Sequence, residues 1–204
     1  MLSLQSQFVY LLLGDKGTFL DVGCGNMSGE PCSSNTAWLY DLGWRGISME
    51  LNEIWAREAK EMFAPENIIL QGDCLAFDWG KTFEHFNMPK TFDYVSIDID
   101  GGSAAALHRF LNSGYKAKIL HVEHDLYSNG GEQRKEVLTD LMTYQTDYRL
   151  TVENVGLSFC TKNYLEDWWT ARDTEFLIPE IHNMFWKEVN PNKVIFDLCK
   201  IKKW

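Results

Sequence analysis

Short apolar runs alternate with helical patterns along most of the chain, and this alternation limits the possible folds more than any other feature. Such alternation is typical of βαβ units, which build parallel sheets with helices on both faces. We therefore predict an α/β fold with a doubly wound, mostly parallel, seven-stranded sheet. Strands are predicted at 18–22, 46–50, 67–71, 92–98, 118–123 and 148–153, and helices from Ser34 or Asn35 to Leu42 and at 53–63, 103–111 and 132–143.

The C-terminal quarter does not continue the pattern clearly. Two apolar runs, 157–160 and 194–198, compete as the seventh strand. We expect one domain over 1–204, in which 155–204 is a candidate C-terminal cover over the site. Trp168 and Trp169 would then stack an acceptor ring, the alternative being that they pack in the core.

The charge balance excludes some classes of partner. The formal net charge is -10, and the only basic cluster is Lys200, Lys202 and Lys203. Binding to nucleic acid or to an anionic membrane needs clustered lysine and arginine, so neither is expected. The apolar run 8–13 is far shorter than the ~20 residues of a membrane span and lacks the flanks of a signal peptide.

The cysteines indicate a reducing compartment. There are five, an odd number, and no C-x-x-C pair occurs. A disulfide framework or a structural zinc site is therefore not expected, and the predicted location is cytoplasmic.

The turn after the first strand carries the sharpest functional signal, Asp21-Val22-Gly23-Cys24-Gly25. Glycines there allow backbone N–H groups to approach a ligand closely. An acid two residues before Gly23 repels a pyrophosphate but suits the cationic ammonium and sulfonium of S-adenosylmethionine. No glycine stands three residues after Gly25, as the dinucleotide motif G-x-G-x-x-G requires. The turn thus favours S-adenosylmethionine over a nicotinamide dinucleotide.

Two further acids follow the second and third predicted strands. Glu50 could accept both ribose hydroxyls of a nucleotide, or it could be a solvated acid at a strand end. Asp73 could accept a hydrogen bond from the adenine amino group, or it could serve the chemistry of a Gly-Asp turn. Both acids are predicted at the carboxyl edge of the sheet, where ligands bind in open α/β folds.

In combination, these motifs resemble the FkbM-like branch of class I S-adenosylmethionine-dependent methyltransferases. The resemblance covers roughly residues 17 to 125. It rests on the segments 19–25, 34–36, 42–47 with Glu50, and 93–101.

The resemblance implies a seven-stranded doubly wound sheet and methyl transfer, often to a hydroxyl oxygen of a sugar or natural product. It implies that Asp21 and the glycine turn hold the methionine part, Glu50 the ribose and Asp73 the adenine. The cofactor-binding residues predicted in this way are Asp21, Gly23, Cys24, Gly25, Asn35, Glu50, Leu51, Asp73, Cys74 and Asp98. Departures from the family pattern are Met27, the insertion 27–33, and Gly102-Ser103 in place of an acid.

An oxygen nucleophile must lose a proton, and the candidate bases follow strands four and five: Asp98, Asp100, Glu123, His124 and Asp125. We expect Asp98 or His124 to accept the proton, the alternative for Asp98 being a charge near the next helix. His121, within the fifth strand, is expected to be a packed or surface histidine. No metal is expected, because Gly102-Ser103 removes one expected acid. In addition, Glu123 and Asp125 cannot both face the cleft if the strand continues, since His124 between them would face it instead.

The sequence therefore predicts a methyltransferase that transfers a methyl group to an oxygen of a small-molecule acceptor. The alternative is a protein of the same fold that binds S-adenosylmethionine or another nucleotide without catalysis. The oligomeric state stays open.

Overall fold

The computed structural model describes residues 4–27, 34–156, 164–187 and 190–203. The helices are α1 (Leu4–Leu13), α2 (Ala37–Asp41), α3 (Glu53–Phe63), α4 (Trp79–His85), α5 (Ser103–Asn112), α6 (Gly131–Gln145) and α7 (Pro191–Lys202). The strands are β1 (Thr18–Val22), β2 (Arg45–Glu50), β3 (Ile68–Gln71), β4 (Thr91–Ile97), β5 (Lys116–Glu123), β6 (Tyr148–Gly156), β7 (Tyr164–Ala171) and β8 (Trp186–Lys187).

All these strands belong to one sheet with the order β3-β2-β1-β4-β5-β7-β6-β8. Strands β1 to β5 are parallel to one another, and β7 runs antiparallel between β5 and β6. The predicted fold class is confirmed, with the two-residue β8 as an extra strand beside β6. The reversal of strand order between β1 and β4 opens a crevice at their carboxyl ends.

The seventh strand is formed by neither predicted run. The strand β7 contains Trp168 and Trp169, while 194–198 lies inside α7. The other run, 157–160, lies outside the described residues. The burial of Val194 and Leu198, four residues apart, with Phe196 58% exposed between them, is the pattern of a helix that packs one face.

The two tryptophans of β7 belong to the core. The Trp168 ring stacks on His121 with 4.6 Å between ring centroids, and its Nε1 donates to Glu166 Oε1 over 2.6 Å. His121 is fully buried beside the Tyr94 hydroxyl, at 3.1 Å, and burial lowers its pKa well below the usual value. The interpretation of His121 as a packed histidine is confirmed, and the tryptophans pack in the core.

Successive side chains of a strand point to opposite faces of the sheet and pack in separate apolar clusters. Phe19 packs with residues of α1 and α7, whereas Leu20 packs with residues of α5 and α6. The apolar run 8–13 is the end of α1, whose buried residues face the sheet. Within the described segments, no helix combines the length and apolar character needed to cross a membrane.

Candidate functional site

A cavity of about 770 Å³ lies where the strands β1 to β4 end. Its wall is formed by the segments that follow these strands, as expected for the crevice of an open α/β sheet. The lining residues are Gly23, Gly25, Met49, Glu50, Leu51, Asn52, Trp55, Gly72, Asp73, Cys74, Leu75, Asp98, Ile99, Asp100 and Gly102. Among the described residues, none after Gly102 contributes to this wall.

The glycine turn after β1 is shaped by a close backbone approach. Gly23 has φ +79°, and a Cβ added there would lie 1.9 Å from the carbonyl oxygen of Asp98. The N–H groups of Gly23 and Cys24 both donate to the Met49 carbonyl, over 2.9 and 3.1 Å. These two N–H groups are therefore used inside the protein, and the absence of a side chain at Gly23 allows the close approach of the chain after β4.

Glu50 lies in the wall at the end of β2 and is only 6% exposed. One carboxylate oxygen accepts from the Gly25 N–H over 2.8 Å, and the other accepts from the Asn52 N–H over 2.7 Å. Each carboxylate oxygen can accept more than one hydrogen bond. Glu50 is thus fixed by two backbone donors and keeps capacity for a ligand's hydroxyl groups.

The segment after β3 forms another part of the wall. Asp73 caps a short 3₁₀ turn, since its side chain accepts from the Leu75 N–H over 2.9 Å. The expected turn chemistry is therefore present, and the residue also lines the cavity. Cys74 follows it in the wall, and burial raises the pKa of its thiol to about 11, so it is a neutral thiol near pH 7.

The apolar part of the wall comes from Leu51 and Trp55. Leu51 is 70% exposed and Trp55 39% exposed, so both present apolar surface at the cavity. Trp55 lies in the first turn of α3, which begins directly after the Asn52 N-cap. Sequence reasoning missed it, although a helix start so close to Glu50 indicates that the first turn borders the cavity.

Asp21 does not line the cavity with its side chain. Its Oδ2 accepts from the hydroxyls of Ser34 and Thr36, over 3.2 and 2.5 Å. Its Oδ1 is buried without a hydrogen-bond partner among the described residues. Complete burial raises the pKa of Asp21 to about 7, with the nearby Asp98 and Glu50 as smaller contributions.

Cys24 and Asn35, both predicted to bind the cofactor, have other surroundings. The Cys24 side chain is fully buried in an apolar cluster with residues of α3. Asn35 is 5% exposed, and its Nδ2 donates to Ser96 Oγ over 3.0 Å and to Asp98 Oδ2 over 3.3 Å. Cys24 therefore packs, and Asn35 positions Asp98.

Asp98 follows β4 and lies in the wall of the cavity. Its backbone N–H donates to the Val22 carbonyl over 2.9 Å, so the chain is held against β1 at this point. Burial raises the pKa of its carboxyl group, and hydrogen bonds from Glu123 and Asn35 act in the opposite direction. It is the predicted catalytic residue that borders the cavity.

His124, the other predicted proton acceptor, is turned away from the cavity. It is fully buried, its Nδ1 accepts from the Leu126 N–H over 3.2 Å, and its Nε2 lies 3.4 Å from Asp167 of β7. The expectation that His124 faces the cleft between its neighbours was wrong, because β5 ends at Glu123 and Asp125 has φ +49°. The alternation of side chains applies only while a strand continues.

Instead, Glu123 and Asp125 meet Asp100, the residue beside the cavity. One oxygen atom from each of the three carboxylates lies within 4.8 Å of the others. The Asp100 N–H also donates to Glu123 Oε2 over 2.7 Å. Burial, followed by the charges of Asp98 and Asp125, raises the pKa of Glu123 to about 11. From the sequence, Glu123 and Asp125 were expected to turn away from the cleft, and the structure places them beside Asp100, which lies in its wall.

No protein-family model matches the sequence, and no curated protein matches it either. Solved structures do match the fold. The O-methyltransferase TomG from Streptomyces achromogenes, involved in tomaymycin synthesis and solved with S-adenosylmethionine, has 16% identity and a TM-score of 0.59, covering 82% of this chain and 78% of that one.

Two further structures agree. The Bacillus cereus O-methyltransferase in complex with S-adenosylhomocysteine has 17% identity and a TM-score of 0.58, covering 81% of this chain and 78% of that one. Human methyltransferase-like protein 13, also with S-adenosylhomocysteine, has 11% identity and a TM-score of 0.54, covering 96% and 89%. At these identities the likeness establishes the class I methyltransferase fold.

Proposed function

We propose that this protein is an S-adenosylmethionine-dependent methyltransferase that methylates a hydroxyl oxygen of a small molecule. The observation that carries the proposal is the cavity at the carboxyl ends of β1 to β4, with Glu50 at one part of its wall and Asp98 at another. Glu50 would be a fixed hydrogen-bond acceptor for the ribose hydroxyls, and Asp98 would be a carboxyl group available to the molecule that is methylated.

The cofactor would lie along the glycine turn. Glu50, held by the Gly25 and Asn52 N–H groups, would accept the ribose hydroxyls. Leu51 and Trp55 offer apolar and aromatic surface against which an adenine ring can pack. Asp73 would accept from the adenine amino group while its other hydrogen bond keeps the 3₁₀ turn in place.

The methionine part would extend from the glycine turn towards Asp98. The Asp21 side chain contacts Ser34 and Thr36 and therefore would not contact the ligand directly. It would act through its charge, since a buried negative charge behind the turn favours a cationic ligand. Burial has raised its pKa to about 7, so a cation nearby would favour its charged form.

The chemical step needs a nucleophile in line with the sulfonium methyl group and a group that accepts its proton. Asp98 would accept that proton, since it borders the cavity and is oriented by Asn35. Its raised pKa makes it a stronger base than an exposed aspartate. Both O-methyltransferase structures similar in fold support an oxygen acceptor.

Isothermal titration calorimetry tests the proposal. We expect S-adenosylhomocysteine to bind with a one-to-one stoichiometry and NAD to bind at least ~100-fold more weakly. Tight binding of NAD with none of S-adenosylhomocysteine would overturn the assignment. A screen for transfer of an isotopically labelled methyl group to hydroxylated small molecules then separates a catalyst from a protein that only binds the cofactor.

A further inference from the structure

The three-residue segment before α2 holds two acids of the site. The hydroxyls of Ser34 and Thr36 donate to Asp21 Oδ2 over 3.2 and 2.5 Å. Between them, Asn35 Nδ2 donates to Asp98 Oδ2 over 3.3 Å. All three residues of the segment are at most 5% exposed. The position of this segment therefore decides how the Asp98 carboxylate is held at the cavity.

The helix α1 contacts the same segment. Ser6 Oγ donates to the Asn35 carbonyl oxygen over 2.6 Å, and Ser6 is fully buried. The other buried residues of α1 are all apolar: Phe8, Val9, Leu11 and Leu12. The buried face of α1 is therefore apolar except where it meets Asn35.

The part of α1 that carries Ser6 is itself fixed on the core. The Phe8 ring packs on Trp168, with 4.7 Å between ring centroids, and on His121, with 5.6 Å. Trp168 and His121 are fully buried in β7 and β5. Because side chains in a close-packed interior have little room to move, Ser6 is held at a defined position two residues from this contact.

We propose that Ser6 is a positioning residue for methyl transfer, which holds the Asn35 carbonyl and thereby keeps Asn35 Nδ2 within hydrogen-bonding distance of Asp98. This role rests on the proposed function, in which Asp98 accepts the proton of the acceptor hydroxyl. Ser6 does not line the cavity, so it would act only through Asn35 and Asp98.

The geometry makes Asp98 sensitive to this contact. The distance of 3.3 Å from Asn35 Nδ2 to Asp98 Oδ2 is near the upper limit of a hydrogen bond, so a small shift of Asn35 would break it. A reacting group misplaced by about 1 Å can lower a rate on the order of 100-fold. A hydroxyl group of the N-terminal helix would in this way contribute to the orientation of the proton acceptor.

The first test is nuclear magnetic resonance of the Asn35 side-chain amide in the purified full chain without cofactor, assigned by its loss in Asn35→Ala. In the unchanged protein we expect its protons to be protected from solvent exchange, because the Nδ2 group is buried and donates to Ser96 and Asp98. In Ser6→Ala the exchange should be at least ~10-fold faster, and the Nδ2 resonance should shift.

Val9→Ala is the matched control, because it removes packing at another fully buried residue of the same helix. It should lower the free energy of unfolding and leave the Asn35 resonances in place. Unchanged Asn35 resonances in Ser6→Ala, or an equal change in Val9→Ala, would overturn the inference. Rapid exchange of the Asn35 amide in the unchanged protein would also overturn it, and this measurement needs no variant to fold.

Calorimetry with S-adenosylhomocysteine separates the inference from the proposed function. Ser6→Ala should bind this ligand within about 3-fold of the unchanged protein, because Ser6 lies outside the cavity wall. With an acceptor identified by transfer of a labelled methyl group, kcat of Ser6→Ala should be at least ~10-fold lower. An unchanged kcat would contradict the positioning role.

The two proposals can fail separately. If S-adenosylhomocysteine binds and Asn35 does not respond to Ser6→Ala, the positioning role alone is wrong. If Asn35 responds but the unchanged protein does not bind S-adenosylhomocysteine, the contact between Ser6 and Asn35 stands and the proposed function is wrong.

Discussion

At the scale of single residues, Glu50 links the glycine turn, the start of α3 and the cavity. Its two oxygens each accept one backbone N–H, from Gly25 and from Asn52. The sequence placed this acid correctly, because a strand end is easily recognised. What it could not show is that the carboxylate also orders the turn, since that depends on the distance between β1 and β2.

Replacing Glu50 by glutamine tests its role. Glu50→Gln keeps the size but removes the charge and one acceptor, and a charged hydrogen bond contributes roughly 1.5–3 kcal/mol. We expect S-adenosylhomocysteine to bind about 10-fold to 150-fold more weakly by calorimetry. Glu53→Gln, on the exposed start of α3, is the control. An unchanged dissociation constant in Glu50→Gln would mean that Glu50 does not bind the cofactor and only orders the backbone around it.

The close contact at Gly23 predicts that a substitution there lowers the stability of the protein. In Gly23→Ala the new Cβ would lie 1.9 Å from the Asp98 carbonyl oxygen, at a positive φ. We expect the free energy of unfolding to fall by roughly 3 kcal/mol or more in urea denaturation. Gly101→Ala is the matched control, because nothing lies within 4 Å of its Cβ position. Equal stability of the two variants would contradict the close approach of β1 and β4.

The catalytic residues were harder to predict than the cofactor acids. The position of Asp98 could be predicted because this residue ends an apolar strand. How Glu123, His124 and Asp125 lie relative to one another depends on where β5 ends and on the turn that follows it, with φ +49° at Asp125. A non-glycine residue with positive φ carries no clear sequence signal, so the alternation rule was extended one residue too far.

At the scale of elements, the strands β1 to β6 were predicted within a few residues, because each is a short apolar run bounded by turn residues. The missed elements are α4, between the third and fourth strands, and elements towards both ends of the chain. The helix α1 is apolar on several sides, so its sequence lacks a clear helical period. Its run 8–13 was considered only as a membrane or signal segment. The strand β7 is paired between β5 and β6, which no local pattern reveals.

The start of α3 gives the element-scale prediction. Asn52 Oδ1 accepts from the Ile54 and Trp55 N–H groups, over 2.9 and 3.3 Å. Asn52→Ala should lower the free energy of unfolding by about 1 kcal/mol, the usual contribution of an N-cap. It should also weaken cofactor binding, because the same turn carries Trp55.

Asn52→Ser is the control for this prediction, since serine is also a good N-cap. Its free energy of unfolding should lie within about 0.5 kcal/mol of that of the unchanged protein, by the same urea measurement. If serine and alanine are equally destabilising, the side-chain cap is not what holds the first turn.

At the scale of the whole molecule, buried acids make stability depend on pH. Burial raises the pKa of Asp21 from 3.8 to about 7 and that of Glu166 from 4.5 to about 8. Between about pH 4 and 7 the unfolded chain loses protons that the folded chain retains. The free energy of unfolding should therefore fall as the pH rises through this window.

Asp21→Asn tests the assignment of this effect. Urea denaturation at about pH 5 and pH 7.5 should show a smaller loss of stability in the variant, because one of the buried acids no longer titrates. Asp41→Asn, on the exposed end of α2, should keep the full loss. A variant at Asp21 with the same pH dependence as the control would mean that Asp21 is ionised in the folded chain near neutral pH.

The saturated N–H groups of the first turn have a consequence for attempts to redesign this protein. Met49 already takes the hydrogen bonds of Gly23 and Cys24, and Glu50 takes that of Gly25. A pyrophosphate would thus find at this turn neither spare donors nor a favourable charge. Exchanging side chains alone should not convert the cavity to bind NAD, because the Gly23 and Cys24 N–H groups are taken by a backbone carbonyl that no substitution removes.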